Sequence, residues 1–231
     1  MENRSDLIIH YLKTNKTLEA FSEIDTVYFQ LNHFEKGELI CNIDDEMDRL
    51  YFVVKGKVKV YTITPEGKKL ILRFINPLAV VGDIEFIQNS KAHNAVEACS
   101  EVVAISISHM VIRNKLLQHP KLMNFLLENI ANTLKISTRF TALNLLYPVE
   151  VRVASYLLSI STDCNGNMYK GDLDATSVTS IADFIGGSYR HVIRVLQKFY
   201  NEKLIEKSNG VIVIKDFSRM KEVAKDNIYE Q

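Results

Sequence analysis

The chain has 231 residues, 47% hydrophobic and 24% charged: enough for one large domain or two modest ones, and too apolar for general disorder. Its 28 basic and 28 acidic residues cancel, so bulk charge selects no partner and any nucleic-acid signal must be local. Three scattered cysteines, Cys41, Cys99 and Cys164, form no CxxC; they argue against a disulfide framework and suit a reduced, cytoplasmic protein.

The opening MENRSDLIIHYLKTNK is broken by charge and does not read as a signal peptide. No run of 18 apolar residues occurs anywhere, so no transmembrane span is expected. Leu7, Ile8, Tyr11, Leu12, Leu18 and Phe21 recur at helical spacings and predict one or two short amphipathic helices. From about residue 25 the texture changes to short apolar runs: VYFQL, ELICNI, LYFVVKG, KVKVYTIT, KKLILRFI, AVVG, NAVEA and EVVAISI. KVKVYTIT alternates as a half-buried strand does, while PEG at 65–67 and KG at 36–37 and 55–56 mark turns. Roughly eight strands with no long helix between them predict a small antiparallel roll or barrel.

After Ile107 the period becomes helical. HMVIRNKLLQHP predicts a short helix stopped by Pro120, and Lys121 to Asn144 a long one, with Met123, Leu126, Leu127, Ile130, Leu134 and Phe140 at three- and four-residue intervals. One face of it meets the roll, and the stripe Leu126, Ile130, Thr133, Ser137, Phe140 and Asn144 is available either to its own chain or to a second subunit. Pro148 starts a further helix, VEVRVASYLLSIS, and the polar STDCNGNMYKGDLDATS reads as a loop or short hairpin. Residues 148–231 therefore form a second, helical domain.

Within it, Ser177 can cap a helix from Val178 to Ile185, whose small Ala182 lets a crossing helix approach closely. Gly186-Gly187 supplies a turn and Ser188 caps a second helix. With Tyr189 as zero, Val192, Val195, Leu196 and Phe199 fall between about 240° and 340°, a core face. Tyr189, Arg190, Ile193, Arg194 and Gln197 fall on the opposite side, near a helix N-terminus whose free N–H groups favour an anion. Leu204-Ile205 and VIVI, joined through Ser208-Asn209-Gly210, read as the two strands of a wing. Residues 187–215 carry six Lys/Arg against two Glu, a local excess in a neutral protein. That is a winged helix-turn-helix whose second helix suits a major groove.

The ordered set LYFVVKGKVKVYTITPEGKKLILRFI, VVGDIEFI and IADFIGGSYRHVIRVLQKF resembles the Crp/Fnr superfamily of regulators over nearly the whole chain. NPLAVVGDIEFI and GGSYRHVIRVLQKF also look like its YeiL-type branch. The resemblance implies an α+β fold: an N-terminal antiparallel β-roll of the cyclic-nucleotide-binding jelly-roll kind (1–120), a dimerisation helix and hinge (121–147) and a C-terminal winged helix-turn-helix (148–231). It further implies a homodimer, paired through Leu126, Ile130, Thr133, Ser137 and Phe140, on pseudo-palindromic double-stranded DNA. Base-reading positions fall on the first, second and sixth residues after the capping serine, here Tyr189, Arg190 and Arg194; Ser188, His191, Lys198 and Lys207 are the expected phosphate contacts. Well-studied members carry glutamate at the second position. Arg190 cannot accept a hydrogen bond, so their half-site does not transfer.

In cyclic-nucleotide binders of the family a cassette runs from glycine-glutamate, on the ribose hydroxyl, to arginine-serine-alanine, on the phosphate. The matching residues are Gly82-Asp83 and His93-Asn94-Ala95. Histidine, mostly neutral at pH 7, is a poor substitute for a permanent bidentate cation, so the effector is expected not to be cyclic AMP: either an unidentified small molecule near Gly82, Asp83, His93 and Asn94, or none. An iron–sulfur cluster needs about four thiolates. The N-terminal segment has none, which leaves only a cluster bridging subunits through Cys41 or Cys99. No cofactor, metal site or catalytic residue is expected. Two other classes compete with this reading: a sensing protein whose helix-turn-helix is not used on DNA, and a cupin-like metal enzyme, which needs converging histidines that the strands lack. If the protein activates, RNA polymerase is a further partner, with loop 161–172 a candidate surface.

Overall fold

The computed structural model describes residues 4–14, 21, 24–63, 65, 67, 69–77, 79–161, 178–208 and 211–225. Leu18, Glu66, Cys164, the 162–177 loop with Ser177, and the wing-tip pair Asn209-Gly210 lie outside them.

In chain order the first half holds α1 (Arg4–Thr14), a 3-10 turn (Thr26–Tyr28), β1 (Phe29–Phe34), β2 (Leu39–Cys41), β3 (Arg49–Lys55), β4 (Val58–Ile63), β5 (Lys69–Ile75) and β6 (Val80–Val81). Helix α2 (Asp83–Gln88), β7 (Ala95–Ala98), β8 (Val102–Ser108) and α3 (His109–Val111), extended by a π turn (Ile112–Leu116), complete it. The second half holds α4 (Pro120–Leu146), α5 (Val149–Ser161), α6 (Val178–Ile185), α7 (Tyr189–Asn201), β9 (Ile205–Ser208), β10 (Val211–Ile214) and α8 (Phe217–Val223). The roll strands make two four-stranded sheets, ordered β1-β8-β3-β6 and β2-β7-β4-β5. Helix α2 (DIEFIQ) was not among the elements expected from sequence; Gly82 at φ 93° turns the chain out of β6 into it. Pro120 does not merely end the preceding helix; it opens α4, where its missing N–H is not needed.

The chain groups into two compact units: Met1–Val60 with Ile75–Lys135, and Tyr61–Phe74 with Ile136–Gln231. In the first unit, alternation in β1, β3 and β8 sends Phe29, Leu31, Leu50, Phe52, Val103, Ile105 and Ile107 to one face, where they bury Ile8 and Leu12 of α1 and Leu122, Phe125 and Leu126 of α4. Phe21 sits at the centre of this core, its ring 4.6 Å from that of Phe52 and 5.0 Å from that of Phe125. The other face, with Val53 and Val102, shares a core with Ile40, Cys41, Val58, Val60, Val96 and Ala98 of the second sheet. Both β8 faces are therefore dry.

His109 closes this unit at the end of β8. Its ring is buried against Phe86, 5.1 Å away, with a hydrogen bond to the Met47 backbone, and its Nε2 finds no partner among the described residues. Burial first, then the Arg113 guanidinium, pull its pKa below the usual 6.5, against weaker opposite pulls from Asp48, Glu85 and the Met47 backbone. The neutral ring is thus favoured in the folded state. Its contribution to stability is complete above about pH 6.5 and is lost as pH falls toward the depressed folded value. Urea midpoints measured at pH 7.5 and 5.5 are expected to drop on acidification, and His109→Gln, which has no imidazole to protonate, to shrink that drop. An unchanged drop in His109→Gln would assign it to other groups.

In the second unit α5 lies against α6, α7 and α8. Tyr156 and Phe184 meet at 4.7 Å between ring centroids, and Phe74 stacks on Phe184 at 5.6 Å. Val192, Leu196 and Phe199 of α7, Leu204, Ile205 and Met220 are buried with them. Helix α8 was not expected from sequence; Asp216 caps it, accepting from Arg219 N–H at 3.0 Å.

Candidate nucleic-acid interface and roll cassette

Helix α6 buries Ile181, Ala182, Phe184 and Ile185. It ends in a Schellman turn: Gly186 takes φ 61° and Gly187 N–H donates to Ala182 carbonyl at 3.1 Å. The Arg152 guanidinium of α5 donates to the Ile185 carbonyl, satisfying another of the open groups at this helix end. The turn hands the chain to Ser188, which adopts extended angles (φ −72°, ψ 141°) and accepts from His191 N–H at 3.3 Å.

Along α7, Val192, Val195, Leu196 and Phe199 are buried, while Tyr189, Arg190, His191, Ile193, Arg194 and Gln197 are exposed. Neither Arg190 nor Arg194 has a hydrogen-bond or ion-pair partner among the described residues. One and the same face thus offers Tyr189, Arg190 and Arg194 beside the cap. Lys198 is different. Its ammonium donates to Glu150 Oε1 of α5 at 2.7 Å and lies 3.8 Å from Glu202; the hydrogen bond to Glu150 raises its pKa. Sequence reasoning had no access to this pairing, since Glu150 stands 48 positions away. The wing forms as expected: β9 and β10 pair antiparallel, Val211 opposite Ser208 and Ile214 opposite Ile205. Lys207 lies in β9 opposite Ile212. Lys215 is drawn into an ion pair with Glu206 at 3.1 Å.

The cassette residues gather at α2 and the segment before β7. A Cβ on Gly82 would sit 2.8 Å from the Arg49 carbonyl, so this position needs glycine for space as well as for its positive φ. Asp83 is only 3% exposed, and its Oδ2 accepts from Asn129 Nδ2 of α4 at 2.7 Å. His93 is exposed; its N–H donates to Glu85 Oε1 at 3.2 Å and its Nδ1 lies 2.8 Å from the Lys91 carbonyl. The Asn94 carbonyl faces Cys41 Sγ at 3.7 Å. Lys91, the nearest lysine in sequence to the position that arginine fills in cyclic-nucleotide binders, pairs with Glu46 at 3.2 Å. Both side chains are largely exposed, so the pair is a weak one. Sequence reading did not single out Asn129 as the partner of Asp83; one amide among several on α4 carries no signal.

Burial pushes the Cys41 thiol up to about 12 and Cys99 to about 11. Both are held as protonated thiols, poorly suited to ligation. Among the described residues no group of three or more His, Cys, Asp or Glu is placed to hold a metal. No helix among them is long and apolar enough to cross a membrane.

On α4, Leu126 is only 1% exposed and Phe140 is also buried, so these two members of the expected dimer stripe are closed within their own chain; Ile130 and Thr133 are half-buried and Ser137 exposed. The open stripe lies one residue on: Leu127, Ala131, Leu134, Thr138, Thr141 and Leu145, all exposed.

Residues 31–119 match the cyclic nucleotide-binding domain family and residues 151–223 the Crp-like helix-turn-helix domain family. The chain is similar to the CRP-like cAMP-activated global transcriptional regulator of Mycobacterium tuberculosis, 25% identical over 190 residues, covering 81% of this chain and 84% of that protein. It is also similar to the regulatory protein YeiL of Escherichia coli, 23% identical over 195 residues, covering 84% and 85%. A solved CRP-family transcriptional regulator from Thermus thermophilus has the same fold, with a TM-score of 0.70 at 21% identity over 84% of this chain and 96% of that one.

Proposed function

Because the chain belongs to the Crp/Fnr superfamily of DNA-binding transcriptional regulators, we propose that it acts as a homodimer reading a pseudo-palindromic site through α7, with an effector other than cyclic AMP or with none. The observation that carries the reading is the pair Arg190 and Arg194, exposed and without a partner among the described residues, on the outward face of a helix capped by Ser188. A guanidinium in that position matches guanine O6 and N7, or a phosphate, and cannot accept from a cytosine amino group. Tyr189, Arg190 and Arg194 meet base edges; Ser188 and His191 meet phosphate, as does Lys207 from the wing. Lys198 reaches phosphate only by giving up Glu150.

The stripe Leu127, Ala131, Leu134, Thr138, Thr141 and Leu145 recurs at alternating four- and three-residue steps, the spacing of a two-helix seam, and we assign it to a second copy of this chain. Two recognition helices then meet adjacent major grooves about 34 Å apart. The roll biases a pre-existing equilibrium between placements of these helices. The Mycobacterium tuberculosis relative is cAMP-activated by its name. Here His93 stands where cyclic-nucleotide binders carry arginine, which argues against that effector. The YeiL likeness supports kinship with that branch and says nothing of the ligand.

Enrichment of random duplex DNA by purified protein, without effector and at moderate salt, tests the proposal. Recovery of one palindrome is the expected result. Retention that ignores sequence and does not weaken with salt would instead favour a helix-turn-helix unused on DNA.

A further inference from the structure

The polar groups of the roll cassette have partners inside the chain. Asp83, at the first position of α2, accepts at Oδ2 from Asn129 Nδ2 of α4 at 2.7 Å, and Glu85 Oε1 of the same helix accepts from the His93 backbone N–H at 3.2 Å. His93 Nδ1 meets the Lys91 carbonyl at 2.8 Å, and Lys91 Nζ is paired with Glu46 at 3.2 Å. The group seated on the cassette amide is therefore itself a carboxylate. An incoming phosphate would lose that donor and stand beside Glu85, with His93 where a permanent cation would otherwise offset the charge. A donor for Asp83, by contrast, is built into the protein: an amide of matching length, on the helix whose exposed stripe is assigned to the second copy.

We infer that Asn129 stands in for a ligand on Asp83, a built-in lock that ties the roll to the long helix, fixes that helix without any nucleotide and leaves the cassette closed to anions. Asn129 is thus a positioning residue. The inference rests on the proposed function, because its consequence is read as operator affinity in effector-free protein.

Asn129→Asp keeps the size of the side chain and sets two carboxylates against each other. Asp83→Asn with Asn129→Asp restores one donor and one acceptor with the roles exchanged. Operator binding by fluorescence anisotropy and hydrogen–deuterium exchange of α2 are measured on wild type, Asn129→Asp and the exchanged pair. Asn129→Asp is expected to weaken operator binding roughly tenfold and to speed exchange at Asp83–Gln88 by a similar factor. The exchanged pair is expected to recover both, which a merely structural asparagine would not do. Cyclic AMP and cyclic GMP at millimolar concentration are expected to leave wild-type operator binding unchanged.

An Asn129→Asp protein that matches wild type in both readouts overturns the lock, as does failure of the exchanged pair to recover, or tightening of wild-type binding by either nucleotide. If Asn129→Asp does not fold, recovery of fold and exchange by the exchanged pair carries the decision. If wild type selects no operator, the functional reading fails, while exchange at Asp83–Gln88 still decides the lock.

Discussion

Arg194→Ala is expected to lower operator affinity by about 1–3 kcal/mol, roughly 5- to 150-fold, and to relax the enriched motif at one position in each half-site. Arg194 lies on the same face of α7 as Tyr189 and Arg190 and is exposed, with no partner among the described residues to compete for it. A guanidinium can span guanine O6 and N7; alanine leaves both acceptors without donors, and lysine, a point charge, restores only part of the loss. A phosphate contact has a different signature: affinity falls for all sequences alike and the salt slope drops by about one. Lys198→Ala is the internal comparison. Its ammonium is held by Glu150 at 2.7 Å, so its loss is expected to cost less than that of Arg194 and to change no base preference. Uniform weakening in Arg194→Ala, with the motif intact, would move Arg194 from bases to backbone.

Helix α7 and the turn before it were legible in sequence because their signals are local. Ser188 caps, Gly186-Gly187 turns, and the apolar residues of α7 hold one angular sector, so exposure and burial follow from spacing alone. The roll was legible for the same reason, since alternation along β1, β3 and β8 fixes which side chains go to which face. What failed to show depends on distant partners. Glu150 meets Lys198, and Asn129 meets Asp83, through folding that no spacing encodes. Helix α2 was not read from sequence because six residues are too few for a helical period to show, and only the positive φ of Gly82 reveals the change of direction. On α4 the difficulty was of another kind. Leu126 and Leu127 are neighbours of equal hydrophobicity, and α4 is apolar on more than one face, so periodicity could say that stripes exist but not which one its own core takes. The core took Leu122, Phe125 and Leu126. The stripe left open is the one that begins at Leu127.

That one-residue difference gives the second large effect. Leu127→Glu with Leu134→Glu is expected to give a folded monomer by sedimentation, with thermal unfolding close to that of wild type, because the two leucines are 65% and 68% exposed in the single chain. Across a two-fold axis a residue in the seam meets its own copy or a close neighbour, so glutamates there confront one another. Operator affinity is then expected to fall roughly 100-fold, since each half-site is bound without the effective concentration that the partner supplies. Leu126→Glu, one position earlier, should behave quite differently: it places a carboxylate in the core at a side chain 1% exposed, and loss of the fold is expected rather than loss of the dimer. A charge-exchanged pair removes the remaining ambiguity. Glutamate and lysine variants at Leu127 and Leu134 should each be monomeric alone and should pair when mixed, regaining operator binding. Dimers persisting in the glutamate variant would place the subunit interface on another face of α4, whereas monomers that fail to pair on mixing would show that the stripe needs apolar contact and not merely the absence of repulsion.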